Sequence, residues 1–162
     1  MSRRKLLLVV GLLAAVAVWY YFRPDRAFTS QEVSEPTPAP GATVLLEGEF
    51  RPRAHDGRGR ARVLALPDGR RVLRLEDFAT LNGPDLQVYL LGSAAAEGRA
   101  DLARHGYRSL GALKGNIGPQ NYDIPADADL ARYRAVAVWC RRFGVNFTTA
   151  ELAAPAAAVP GS

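Results

Sequence analysis

One thiol, two imidazoles and two polar loops hold most of the chemistry open to this 162-residue chain. Cys140 is the only cysteine, within AVAVWCRRFGVNF, Ala135 to Phe147. A thiolate serves as nucleophile, metal ligand or redox centre, and each role needs its own neighbours. Blue copper combines two histidines with the thiolate and usually an axial methionine. Here Arg141, Arg142 and Phe143 follow the cysteine and Met1 is the only methionine, so that spacing is not met. Structural zinc needs more ligands than Cys140, His55 and His105 supply, and no metal is expected. A Cys–His nucleophile would need His55 or His105, both in expected loops, to approach Cys140. Arg141 or Arg142 would lower the thiol pKa if suitably aimed, and strand alternation places Arg142 on the cysteine's face. The alternative is a small buried hydrophobe beside Val136 and Val138, which spacing alone favours.

The polar loops are NGPDL (82–86) and LKGNIGPQNYDIP (113–125). Glycine there supplies positive φ and Asn or Asp bonds the backbone, so most of this composition is turn chemistry. Neither stretch matches a phosphate-binding GxxxxGK[ST] or GxGxxG pattern. Asp85, Lys114 and Asn116 remain candidates for a salt bridge or a small polar binding site at the loop tips. No Ser/His/Asp or paired-carboxylate arrangement stands out, so a hydrolase ranks behind, and whether the chain is an enzyme stays open.

The elements that must position these groups are mostly strands. TVLLEGEF (43–50), RARVLAL (60–66), RRVLRLEDF (70–78), LQVYLL (86–91), AVAVWC (135–140) and GVNF (144–147) read as strands by period two or by continuous apolarity. Asp68-Gly69 turns the second into the third as a hairpin. The arginines between Arg51 and Arg74 alternate with apolar residues and read as a solvated strand face. SAAAEGRADLARHG (93–106) is the only helix-like stretch in this part, weakened by Gly98. The fold class expected is all-β, a mainly antiparallel β-sandwich or barrel with at most one short helix, plus one N-terminal transmembrane helix.

That N-terminal helix follows from Arg3-Arg4-Lys5 and a 17-residue apolar run, Leu6 to Phe22, which ends at Arg23-Pro24-Asp25. The basic end stays in the cytoplasm. The run ends in Trp19-Tyr20-Tyr21-Phe22, suited to a membrane interface, with no Ala-x-Ala site behind it. A single-pass signal-anchor is therefore preferred over a cleaved signal peptide and secretion. Either way the rest of the chain leaves the cytoplasm. The net charge of +5 and pI near 9.8 do not signal nucleic acid. Residues 1–26 carry five basic side chains against Asp25, leaving 16 basic and 15 acidic elsewhere. The domains expected are the anchor (1–26), a Pro-rich linker (27–42) acting as an extended tether, a β-domain (43–152), and a disordered Ala/Pro tail (153–162).

Four stretches together, FRPRAHDGRGRARVLALPDGRRVLRLEDF, NGPDLQVYLL, LGALKGNIGPQNYDIP and YRAVAVWCRRFGVNFTTAEL, resemble the DM13 domain in order and spacing over residues 44–152. The resemblance implies a small β-rich extracytoplasmic domain, found beside DOMON and cytochrome-type modules in animals and alone behind an anchor or signal peptide in bacteria. It implies electron transfer, with Cys140 as the redox residue. The family's His-x-x-x-Gly element is similar to His55 and Gly59, and its Gly-Pro-Asp turn to Gly83, Pro84 and Asp85. The chain carries no Cys-x-x-Cys-His and no dinucleotide fingerprint, so any haem or flavin would belong to a separate redox partner. Two functions follow. One is an anchored extracytoplasmic redox module using Cys140. The other is a non-catalytic cell-surface binding or adhesion module using His55, Asp85, Lys114 and Asn116 in or near the Gly/Pro/Asn-rich loops.

Overall fold

The computed structural model describes residues 2–22 and 30–155. The expected anchor boundary at Arg23-Pro24-Asp25, residues 27–29 of the linker and residues 156–162 of the tail lie outside these. Helix α1 (Arg3–Phe22) has 20 residues. At about 1.5 Å per residue it is roughly 30 Å long, the thickness of a bilayer core. None of its span from Arg3 to Tyr21 is buried against the rest of the chain. It is thus long and apolar enough to cross a membrane, a property that a signal sequence shares.

Eight strands follow: β1 (Thr43–Pro52), β2 (Gly57–Ala65), β3 (Arg71–Thr80), β4 (Leu86–Leu91), β5 (Tyr107–Ala112), β6 (Gln120–Ile124), β7 (Ala135–Cys140) and β8 (Val145–Glu151). A short helix, α2 (Arg99–His105), joins β4 to β5. All eight strands lie in one sheet, ordered β5-β4-β7-β8-β1-β2-β3-β6, and every neighbouring pair is antiparallel. The end strands β5 and β6 approach each other without pairing, which makes the sheet a near-barrel. β1 joins the two halves: Thr43 to Glu49 pair with β2, whereas Phe50 to Pro52 pair with β8.

Alternation explains the core. Ala61 and Val63 of β2, Leu73 and Leu75 of β3, and Val88 and Leu90 of β4 are fully buried and meet Val136, Val138 and Cys140 inside. The hairpin at Pro67-Asp68-Gly69 forms as its composition requires: the Gly69 N–H donates to the Leu66 carbonyl, and Arg70 binds the Asp68 carboxylate. Two expectations change. The helix-like stretch is helical only from Arg99, where the Asp101 carboxylate accepts the Glu97 and Gly98 N–H groups. The outward face of β3 is not wholly solvated: Arg74 is buried, and residues 31–36 of the linker cover it. That segment is extended but hydrogen-bonded to the domain, and Ala39 and Ala42 pack on Leu64, Leu66 and Val72.

Candidate functional site

The buried, both-faces-apolar strand β7 carries Cys140 at its last position. The thiol is 0% exposed, within the cluster containing Val136, Val138, Leu86 and Phe147. Its strand neighbours are Leu86 on β4 and Val145 on β8. β7 stops at this residue because 141–144 form a turn, closed by the Gly144 N–H donating to the Cys140 carbonyl. Alternation therefore does not carry past the cysteine to Arg142. The surroundings are those of a small hydrophobe.

Beside the buried thiol lies a polar clasp. Asp85, at the end of NGPDL, accepts two hydrogen bonds from the Arg141 guanidinium, at 3.0 and 3.2 Å, and one from the Gln87 amide. Its carbonyl accepts the Arg141 N–H. The bonds from Arg141 to the carboxylate, and the carboxylate's charge, raise the guanidinium pKa further. The Asp85–Arg141 pair thus bridges β4 and β7 one residue outside the Leu86–Cys140 pair.

His55 is half-buried, with its ring 4.0 Å from the Phe147 ring and its backbone N–H donating to the Phe147 carbonyl. His105 is exposed at the end of α2. Among the described residues neither imidazole is hydrogen-bonded to the thiol, and no three His, Cys, Asp or Glu side chains gather to hold a metal ion.

The two polar loops meet. A cavity of about 400 Å³ is lined by residues 82–87 on one wall and by Ala112, Leu113, Gly115 and Asn116 on the other. A second, of about 570 Å³, shares Ser30, Asn82 and Asn116 with it and runs past Asp56 and Arg58. Asp85 and Asn116 therefore face one trough. Asn116 is itself committed: its Oδ1 accepts the Gln31 N–H at 2.7 Å and its Nδ2 donates to the Thr80 carbonyl. Lys114 points elsewhere. Its ammonium donates to Glu35 and to the Asn121 carbonyl, both at 2.7 Å, and lies over the Tyr122 ring.

Several residues that shape this end escape a reading by composition. Gln120 is fully buried. Its Oε1 accepts from Tyr122 Oη at 2.6 Å and from the Lys114 and Gly115 N–H groups, while its Nε2 donates to the Gly115 and Gly118 carbonyls. Burial pushes the Tyr122 phenol well above its ordinary pKa. The signal was present as Gln-x-Tyr at period two inside an apparent turn. Glu35, from the linker, closes the arrangement. Partial burial works against its charge, but hydrogen bonds from Lys114 and the Asn121 N–H, with the Lys114 and Arg74 charges, outweigh that and hold its pKa below the ordinary Glu value.

A family profile described as "Electron transfer DM13" matches residues 49–152, well over half of the chain. No curated protein and no solved structure matches the chain.

Proposed function

Because this chain belongs to the DM13 family, we propose that it is a membrane-anchored extracytoplasmic electron-transfer module with Cys140 as its redox residue. The family match over residues 49–152, Cys140 included, carries this reading. Helix α1 would hold the chain in the membrane with Arg3-Arg4-Lys5 on the cytoplasmic side. The redox partner is a separate protein, which supplies any haem or flavin.

The buried thiol limits the chemistry. Exchange with a partner disulfide needs Cys140 Sγ to attack one sulfur: a new S–S bond forms, the partner's S–S bond breaks, and its departing sulfur takes the thiol proton. The partner is reduced and Cys140 oxidised to the mixed disulfide. That approach requires the Asp85–Arg141 clasp and the 141–144 turn to open. The test is alkylation of the folded chain by a small methanethiosulfonate reagent. Labelling faster than global unfolding, and faster still in Asp85→Ala, supports the reading. A thiol that reacts only when the domain unfolds sinks it.

One observation favours a second reading, a non-catalytic surface-binding module: NGPDL and the start of LKGNIGPQNY face each other across one trough. Such a module would keep its function in Cys140→Ser and lose it in Asp85→Ala, the reverse of the redox outcome.

A further inference from the structure

The segment leading into the barrel is held as a bound peptide is held. Residues 31–36 run extended along loop 113–121. The Val33 N–H donates to the Ile117 carbonyl at 2.9 Å, the Ile117 N–H to the Gln31 carbonyl at 3.3 Å, and the Glu35 N–H to the Pro119 carbonyl at 2.9 Å. Glu32 and Ile117 form a parallel bridge. This is the hydrogen-bond pattern of a strand added to an edge, in which the backbone gives affinity and alternate side chains give specificity.

The side-chain recognition is equally complete. The Glu35 carboxylate accepts Lys114 Nζ and the Asn121 N–H, both at 2.7 Å. The Pro36 carbonyl accepts Asn121 Nδ2 at 2.9 Å and Arg74 Nη1 at 3.0 Å. Val33 lies on bare backbone. A Cβ at Gly115 would stand 2.5 Å from Val33 Cγ2, and one at Gly118 only 2.0 Å from the Val33 carbonyl oxygen. The two glycines of LKGNIG are thus the floor on which the segment rests, and the matched family segment contains that floor but not its occupant.

We propose that loop 113–121, with Arg74, is a recognition site for an extended x-Val-x-Glu-Pro peptide, and that residues 31–36 are its resident ligand, docked in cis and exchangeable with the same segment of a second copy. The site owes little to the hydrophobic core: of residues 31–36 only Val33 and Glu35 are half-buried and the rest are exposed. Tethering through residues 37–42 gives the docked segment an effective concentration on the order of millimolar, which keeps the cis arrangement dominant. This proposal is independent of any redox role for Cys140.

The test uses the full chain in detergent, with an N-terminal affinity tag and a protease site inserted between the exposed Pro40 and Gly41. After cleavage the resin holds residues 1–40 by the tag. The barrel should stay with them and elute with a synthetic peptide of residues 30–38. A Glu35→Ala peptide should need at least tenfold more, because it lacks two charge-assisted hydrogen bonds. A second measurement needs no cleavage: in Lys114→Ala, amide exchange at Val33 and Glu35 should quicken severalfold while β7 is unchanged. Loss of the barrel from the resin on cleavage, its unfolding, or equal elution by the Glu35→Ala peptide overturns the proposal. So does exchange at Val33 that matches β7 in both forms, since the segment is then an integral strand.

Discussion

Replacing Gln120 with leucine should destabilise the domain far more than its place in a polar loop implies. The side chain is fully buried and takes part in five hydrogen bonds. Leucine leaves the Gly115 N–H and the Gly115 and Gly118 carbonyls without their Gln120 partner, and removes the acceptor of the Tyr122 hydroxyl. The Lys114 N–H still has Tyr122 Oη at 3.1 Å. An unsatisfied buried group costs about 1–3 kcal/mol. Two of the lost bonds are short and two are marginal at 3.3 Å, so a net loss of about 3–4 kcal/mol is expected after leucine's apolar gain. For a domain of this size that lowers Tm by roughly 10–15 °C. The assay is urea unfolding in detergent followed by fluorescence of the buried Trp139, in a Trp19→Phe background that removes the helix signal. Tyr122→Phe should cost about 1 kcal/mol, and the double variant less than the sum because the two share one bond. A Gln120→Leu chain within 1 kcal/mol of the parent would refute the network's energetic role.

Four further outcomes are expected. Gly118→Ala, at φ +98 and against the Val33 carbonyl, should free residues 31–36 and cost about 1–3 kcal/mol, read as faster exchange at Val33. Glu35, with its folded pKa lowered, contributes docking stability that is fully present above its ordinary value of 4.5 and is lost as pH falls through the lowered one; protection of the Glu35 amide, its exchange relative to the unfolded chain at the same pH, should fall in that acid window. Asp85→Ala should cost under about 1 kcal/mol, because Arg141 is mostly exposed, yet raise Cys140 labelling up to about fivefold if the clasp gates the thiol. Cys140→Ala should cost about 1 kcal/mol and Cys140→Ser more, since a hydroxyl among Leu86, Val138 and Phe147 has no acceptor in that apolar cluster; chemical denaturation separates them.

Strands with uninterrupted period or apolarity were legible. LQVYLL and AVAVWC match β4 and β7 residue for residue, and the Asp68-Gly69 hairpin lies where its turn chemistry put it. β5 and β6 were not legible: YRSLGA is exposed or half-buried throughout and carries no clean apolar period, and in QNYDI the side chains of Gln120 and Asn121 bond neighbouring loop and linker backbone rather than face water. β8 runs on to Glu151, past the expected Phe147, since Thr148 and Thr149 are buried with hydroxyl partners, the Arg51 carbonyl and Asn146. Arg74 shows the limit most plainly. Alternation put it on the outer face correctly, but what covers that face lies 38 residues earlier in the chain, at Pro36, and local pattern cannot see it. Of the candidate residues, Asp85 and Asn116 share a trough, Lys114 serves Glu35, His55 packs tilted against Phe147, and Cys140 lies in the core.

The pairing of β1 with β8 sets an order on how this domain can form. The β1–β2–β3 meander needs only contacts between near neighbours in sequence and can assemble as soon as Thr80 is available. The Phe50–Ala150 pair spans 100 residues and cannot form until the last strand has been delivered. During vectorial synthesis the chain therefore waits half-built, with the β8-facing edge of β1 unpaired, and non-local closure of this kind is the slow step. Truncations before Glu151 should strand the protein at that stage, with an open edge inviting intermolecular pairing.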